Sequence, residues 1–175
     1  MSTARADPLA AILYSPEDQV EEIMLEAAHR LAARGVRLGG ILQHDIGMQF
    51  DDPCAMELEN LATGERFSLS QNLGSNSEAC RLDPAALAHA AVAVRAAIDN
   101  GTDLICINKF ASQEAYGTGL RSEMGEVVAA GIPLLTSVGK RFLSDWEAFS
   151  GGMGELLEPS VESILAWWER LESKD

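Results

Sequence analysis

Six apolar residues in a row, Leu9 to Tyr14, are cut off by Ser15-Pro16-Glu17-Asp18, and apolar positions then recur at Val20, Ile23, Met24, Ala27 and Leu31 before Gly35. A short unbroken run followed by positions three and four apart predicts a buried strand and then an amphipathic helix. Ser15 is the expected N-cap, Pro16 the first helical residue, the two acids fill the first turn, and Gly35 stops the helix. Val36 to Gln43 predicts a second strand, in which Gly39-Gly40 permits a bend or a close backbone approach. His44 to Pro53 is polar and acidic without a period and reads as a loop. Cys54 to Glu59 and Arg66 to Ser70 alternate on either side of the Thr63-Gly64 turn, which predicts a hairpin with one wet face.

Asp83-Pro84 caps and opens a helix whose inward stripe is Leu87, Ala91, Val94 and Ile98, ending at Asn100-Gly101. Leu104 to Ile107 is apolar throughout and closed abruptly by Asn108-Lys109, the profile of a central parallel strand. A loop from Phe110 to Gly117 leads to a helix with Leu120, Met124, Val127 and Val128 inward. Gly131-Ile132-Pro133 opens a strand from Leu134 to Val138, a helical turn spans Asp145 to Phe149, and Gly151-Gly152 closes it. A last amphipathic helix carries Val161, Ile164, Leu165, Trp168 and Leu171, its tryptophans covering the core. Alternation of strand and helix predicts a three-layer α/β fold, with a mostly parallel sheet and one inserted antiparallel hairpin. No repeat or linker divides residues 1–175, so a single domain is expected.

The 47% hydrophobic content of 175 residues lets one core bury roughly 70% of the unfolded surface. A net charge of −14 repels phosphate backbones and anionic lipid, which argues against nucleic acid and membrane partners. With no apolar run of signal or membrane length, the expected location is the cytoplasm. Cys54, Cys80 and Cys106 show no pairing or metal spacing and read as reduced thiols. The cluster His44, Asp45, Asp51, Asp52 and Cys54 is too irregular for a metal site and reads as a solvated acidic loop. Neither a metal, a cofactor nor a catalytic residue is assigned.

Candidate chemistry lies beyond the strand tips, where open α/β sheets hold their ligands. Asn108 and Lys109 follow the central strand, where a metal-dependent phosphohydrolase would place acids; a cation there attracts an anion directly. The turn between first strand and first helix lacks a phosphate cradle, because Pro16 removes a donor and Glu17 and Asp18 add negative charge. Ser70 to Arg81 holds three serines, two asparagines, Gln71 and Gly74, donors able to converge on a small anion with Arg81 as a charged fork. Gly117 to Ser122 only imitates a dinucleotide fingerprint. Arg121 at a helix start is mildly unfavourable without an anion beside it, and Lys140-Arg141 follow a strand expected to neighbour the central one.

Taken in order, Val36-Arg37-Leu38-Gly39-Gly40, Leu61-Ala62-Thr63-Gly64, Ser70-Gln71 with Cys80-Arg81-Leu82-Asp83, Ile107-Asn108-Lys109-Phe110 with Glu114, Gly117 and Gly119, Gly131-Ile132-Pro133 and Trp146-Glu147-Ala148-Phe149 resemble a bacterial family of unassigned function often encoded beside molybdenum-uptake genes. The resemblance runs from about Leu9 to Gly152. The layout is also distantly similar to the thermophile-type P-loop nucleoside triphosphatases, without their phosphate-binding loop and with Asn108-Lys109 in place of the acids. What this implies is a degenerate P-loop-like fold and binding of a small oxyanion, molybdate first, without hydrolysis. The expected ligand set is Lys109, Asn108, Arg121, Arg81, Ser70 and Gln71. Two alternatives stay open: a nucleotide binder or triphosphatase with a rebuilt phosphate site, using Glu114 or Glu123, and an acidic module that meets a protein partner.

Overall fold

The apolar run at Leu9 forms strand β1 (Leu9–Tyr14) with the bounds its pattern predicts, and the computed structural model describes residues 6–45, 56–68, 70, 71, 81, 82 and 84–173. The further strands are β2 (Leu38–Asp45), β3 (Met56–Asn60), β4 (Arg66–Ser68), β5 (Ser70–Gln71), β6 (Arg81–Leu82), β7 (Leu104–Ile107), β8 (Leu134–Gly139) and β9 (Glu155–Leu157). The helices are α1 (Val20–Ala33), α2 (Pro84–Asp99), α3 (Ser112–Ala115), α4 (Arg121–Ala129), α5 (Leu143–Ser150) and α6 (Val161–Glu172). A seven-stranded sheet runs in the order β4-β3-β2-β7-β8-β1-β9. Its pairs are parallel from β2 to β9, and antiparallel where the β3–β4 hairpin joins β2.

Alternate strand residues face opposite helical layers, as the pleat requires. Leu9, Ala11, Ile41, Ile105, Ile107, Leu134 and Val138 pack toward α2, α4 and α5. Ala10, Ile12, Leu42, Leu104, Cys106 and Leu135 pack toward α1 and α6. The predicted three-layer α/β fold, mostly parallel with an inserted hairpin, is therefore the observed one. No helix of the described residues is long and apolar enough to cross a membrane.

Several local expectations change. The first helix does not start at Pro16: Pro16–Asp18 form one 3-10 turn, the Asp18 carboxylate accepts from the Ser15 N–H at 2.6 Å, and Gln19 turns left-handed (φ 53°) before α1 begins. The acids at the start of α1 are Glu21 and Glu22, not Glu17 and Asp18. His44 belongs to β2, not to a loop, and its Nε2 lies 2.8 Å from Glu59 Oε1 across the β2–β3 pair. Asp51, Asp52 and Cys54 of the proposed cluster lie outside the described residues. The segment Ser70 to Arg81 is not wholly loop, since β5 and β6 pair as a small antiparallel ribbon. Strand β9 was not expected, because three residues are too few to show a period. In α6, Trp167 is the fully buried tryptophan, its Nε1 donating to the Asp7 carbonyl at 2.7 Å.

The largest shift concerns α2. Its buried face is Ala86, Ala90, Ala93, Val94 and Ala97, while Leu87, Ala91 and Ile98 are only partly covered. Small residues win because the helix lies almost on the backbone of β2: a Cβ on Gly39 would sit 2.6 Å from Ala97 Cβ. Gly40, with φ +99°, is tighter still, since a Cβ there would collide with the Cys106 carbonyl oxygen of β7. Arg37 and Asp103 clamp the amino ends of the same two strands, the Asp103 carboxylate accepting from the Arg37 N–H at 2.9 Å. That bond and the Arg37 side chain hold the Asp103 pKa below the usual carboxylate range.

Gly40→Ala is expected to lose about 2–4 kcal/mol, lowering the unfolding midpoint on the order of 10 °C. Gly125→Ala, in α4 with nothing near its Cβ position, should instead gain about 0.5–1 kcal/mol; calorimetry of the two variants checks the contrast. Burial also pushes the Cys106 thiol up to about 12. The folded state then keeps a proton that the unfolded chain releases above pH 9.0, so stability is intact below that pH. It should fall by about tenfold in the unfolding constant per unit toward pH 12. Denaturant titrations should show that slope in the wild type and not in Cys106→Ala.

Candidate functional site

Connections leave β1 and β8 toward opposite faces of the sheet: α1 packs on one layer, whereas α4 and α5 on either side of β8 pack on the other. Because β1 and β8 are neighbours, their carboxyl ends bound a crevice at a switch point, where ligands of such sheets bind. A cavity of about 610 Å³ occupies it, with Tyr14 and Ser15 from the end of β1, Glu21 from α1, Lys109 from beyond β7, and Lys140 and Arg141 from beyond β8.

Lys109 has φ 49°, a left-handed conformation that costs a non-glycine residue about 1–2 kcal/mol. Its neighbours impose it. The Asn108 N–H donates to the Ile41 carbonyl of β2 at 3.0 Å, and the Phe110 N–H donates to the Ser137 carbonyl of β8 at 2.7 Å. The chain must satisfy strands on both sides within three residues, so the one between them turns over. Lys109 Nζ thereby reaches Glu21 Oε1 at 3.2 Å. Lys140 and Arg141 are exposed and make no ion pair among the described residues, although the Arg141 guanidinium lies 4.7 Å from the Phe142 ring centre. Burial pushes the Tyr14 hydroxyl pKa up; Lys109 pulls it down, Glu21 pushes it up and Arg141 pulls it down. Tyr14 stands at the crevice wall as a neutral hydrogen-bond donor.

Lys109 and Arg141, with Ala111, also line a second cavity of about 310 Å³. Its walls are Ile41, Met56, Leu58, Leu87 and Leu120, with the amides of Gln43 and Asn108 among them. Asn108 Oδ1 accepts from the Gln43 N–H at 3.3 Å, whereas its buried Nδ2 has no partner.

Of the sequence-derived ligand set, the structure brings Lys109 and Asn108 together at this junction. Arg121 lines neither cavity; it donates to the Glu114 carbonyl at 3.0 Å and lies 5.1 Å from the Phe149 ring centre. Ser70, Gln71 and Arg81 sit in the β5–β6 ribbon, Gln71 opposite Arg81. Glu114 is buried with both carboxylate oxygens taken, accepting from the Ala111 and Leu120 N–H groups at 3.0 Å each. Glu123 is buried in the first turn of α4, and its Oε2 has no partner. Tyr14, Glu21 and Gln43 were missed. Placing the helix start at Pro16 hid Glu21, and Tyr14 read only as the last residue of an apolar strand.

A protein of Bradyrhizobium diazoefficiens named Molybdenum import ATP-binding protein ModC 2 is 43% identical to this chain over 173 residues. The match takes in 98% of this chain but 19% of that protein, so the chain spans about a fifth of its relative's length. A family model described as a protein of unknown function, DUF2478, matches residues 9–167, from the first residue of β1 into α6. The chain belongs to the DUF2478 family.

Proposed function

We propose that this protein is a binding or handling protein for a small oxyanion, molybdate first, held in the crevice between β1, β7 and β8, and that it catalyses no hydrolysis. The observation that carries the reading is a cationic crevice at the switch point of a chain with net charge −14. Two of its cations, Lys140 and Arg141, have no carboxylate partner among the described residues. Lys109, Lys140 and Arg141 supply charge and Tyr14 a neutral donor, while Asn108 lines the adjoining cavity. Arg121 braces α3 through the Glu114 carbonyl, and Ser70, Gln71 and Arg81 lie on the β5–β6 ribbon. Binding without hydrolysis is supported by Asn108-Lys109, an amide and a cation at the tip of β7 where a metal-dependent phosphohydrolase would hold acids. The relative's name supports a link to molybdenum import; the ATP binding it also names belongs to a protein five times longer. The cytoplasm is the location we propose, and the relative's name is compatible with it.

Glu21 acts as an internal anion that holds Lys109 until a ligand competes for it. Charge-assisted hydrogen bonds are worth about 1.5–3 kcal/mol each, so loss of one cation should cost about tenfold or more in affinity.

A second reading, nucleotide binding with a rebuilt phosphate site, is favoured by the volume of about 610 Å³, which exceeds what one tetrahedral anion fills.

Thermal unfolding against molybdate, tungstate, sulfate, phosphate and ATP, each with and without Mg²⁺, separates the readings. A ligand at a hundred times its dissociation constant adds about 2.7 kcal/mol, a midpoint rise on the order of 5–10 °C. A rise with molybdate or tungstate that is lost in Lys109→Ala and Arg141→Ala is the expected result. A rise confined to ATP with Mg²⁺ would move the second reading ahead, and no response to any anion would remove both. Glu21→Gln should bind the same anion several-fold more tightly, read by calorimetric titration.

A further inference from the structure

We infer that the complete ligand is an organic phosphate or kindred oxyanion ester, its charged head in the crevice and its apolar, acceptor-bearing body in the adjoining cavity. The inference rests on the oxyanion reading and extends it to the neighbouring cavity. Lys109, Ala111 and Arg141 line both spaces. An inorganic oxyanion would use the cations and leave the second cavity without a role. That cavity is not built like a solvated cleft. Its walls come from β2, β3, α2 and the start of α4 through Ile41, Met56, Leu58, Leu87 and Leu120, and its volume is about 310 Å³, within the range of small-molecule sites.

Its polar lining beside the two cations is Gln43, Asn108, Gln113 and Glu114. Asn108 Nδ2 is buried without a partner among the described residues, an arrangement that is costly to keep, and a small turn of the amide would present it to the cavity. Gln43, itself 7% exposed, donates from Nε2 to the Met56 sulfur, 3.3 Å away, a weak acceptor that a ligand carbonyl or ring nitrogen would outcompete. The Glu114 carboxylate, held by the Ala111 and Leu120 N–H groups, also lines the cavity and favours a neutral body over an anionic one there. A neutral acceptor-bearing ring or chain therefore fits the cavity, and its anionic end falls beside Lys109 and Arg141.

Calorimetric titration with inorganic phosphate, molybdate, phenyl phosphate, uridine 5′-monophosphate and uridine tests this. Uridine 5′-monophosphate is expected to bind at least tenfold more tightly than inorganic phosphate, with phenyl phosphate, which lacks ring acceptors, between them. Leu87→Gln, on a partly exposed wall residue, should abolish that advantage and leave inorganic phosphate and molybdate binding unchanged; Met56→Gln is the second wall variant should the first fail to fold. If inorganic anions bind and the organic phosphates bind no more tightly, the inference is overturned while the oxyanion reading stands. If uridine binds as well as its phosphate, or nothing binds, the charged head is wrong and the inference falls with the oxyanion reading.

Discussion

Strand β7 has no space beside it. Gly40 of β2 lies so close to the Cys106 carbonyl that no side chain fits between the two strands, and the other edge of β7 pairs with β8. That double confinement governs what happens at the end of the strand. Asn108 stays bonded to β2 and Phe110 is bonded to β8, so Lys109 takes the left-handed conformation that neither neighbour could accept without losing a bond. Strain of this kind persists only where the surroundings over-determine it. The position of a charged group at the crevice is thus a consequence of how β7 is bonded to the strands on either side of it.

Charge in the crevice works against the charge of the molecule. Repulsion from a net −14 is felt by an approaching anion, but salt screens it within about 8 Å at physiological ionic strength. Inside the crevice the near groups dominate: among the described residues that line it, Lys109, Lys140 and Arg141 face one carboxylate, Glu21, although Lys140 also shares a cavity with Glu17, Asp18 and Glu158. Pairing Lys109 with Glu21 at 3.2 Å lowers the cost of holding a partly covered cation before a ligand arrives. It also sets a threshold, because a weakly basic anion must displace a carboxylate that is already in place.

The fold was legible where each residue's environment is set by its own segment. Leu9–Tyr14 and Leu104–Ile107 have the ends their apolar runs predict, because a buried strand must stop where polarity begins. The stripe on α2 was misread because its burial is decided by Gly39 of another strand, which demands alanine where leucine would ordinarily be the inward choice. The site divides the same way. Asn108-Lys109 could be found from the abrupt end of β7, whereas Tyr14 and Glu21 could not. Their role depends on β1 lying next to β8 and on Gln19 breaking the turn ahead of α1, neither of which a single sequence displays. Arg121 was legible as an anomaly but not in its resolution, an internal carbonyl and an aromatic face in place of a ligand.

A parallel sheet of this topology offers an anion two sources of positive potential at the switch point: the turn between β1 and α1, and the tips of the strands beside it. The first is closed here. Pro16, Glu17 and Asp18 make the turn, Asp18 takes the Ser15 N–H, and Glu21 and Glu22 offset the positive end of α1. Positive charge comes from the tips of β7 and β8 instead, on side chains rather than backbone N–H groups. That exchange has a chemical consequence. A backbone cradle wraps a polyphosphate along its length, whereas side-chain cations lining one cavity suit a compact head and would leave the rest of a ligand to whatever lies next to them. Lys109 and Arg141 also line the apolar cavity of Ile41, Leu58 and Leu87, so on the proposed reading the specificity of this site would reside in the body of the ligand more than in its charge.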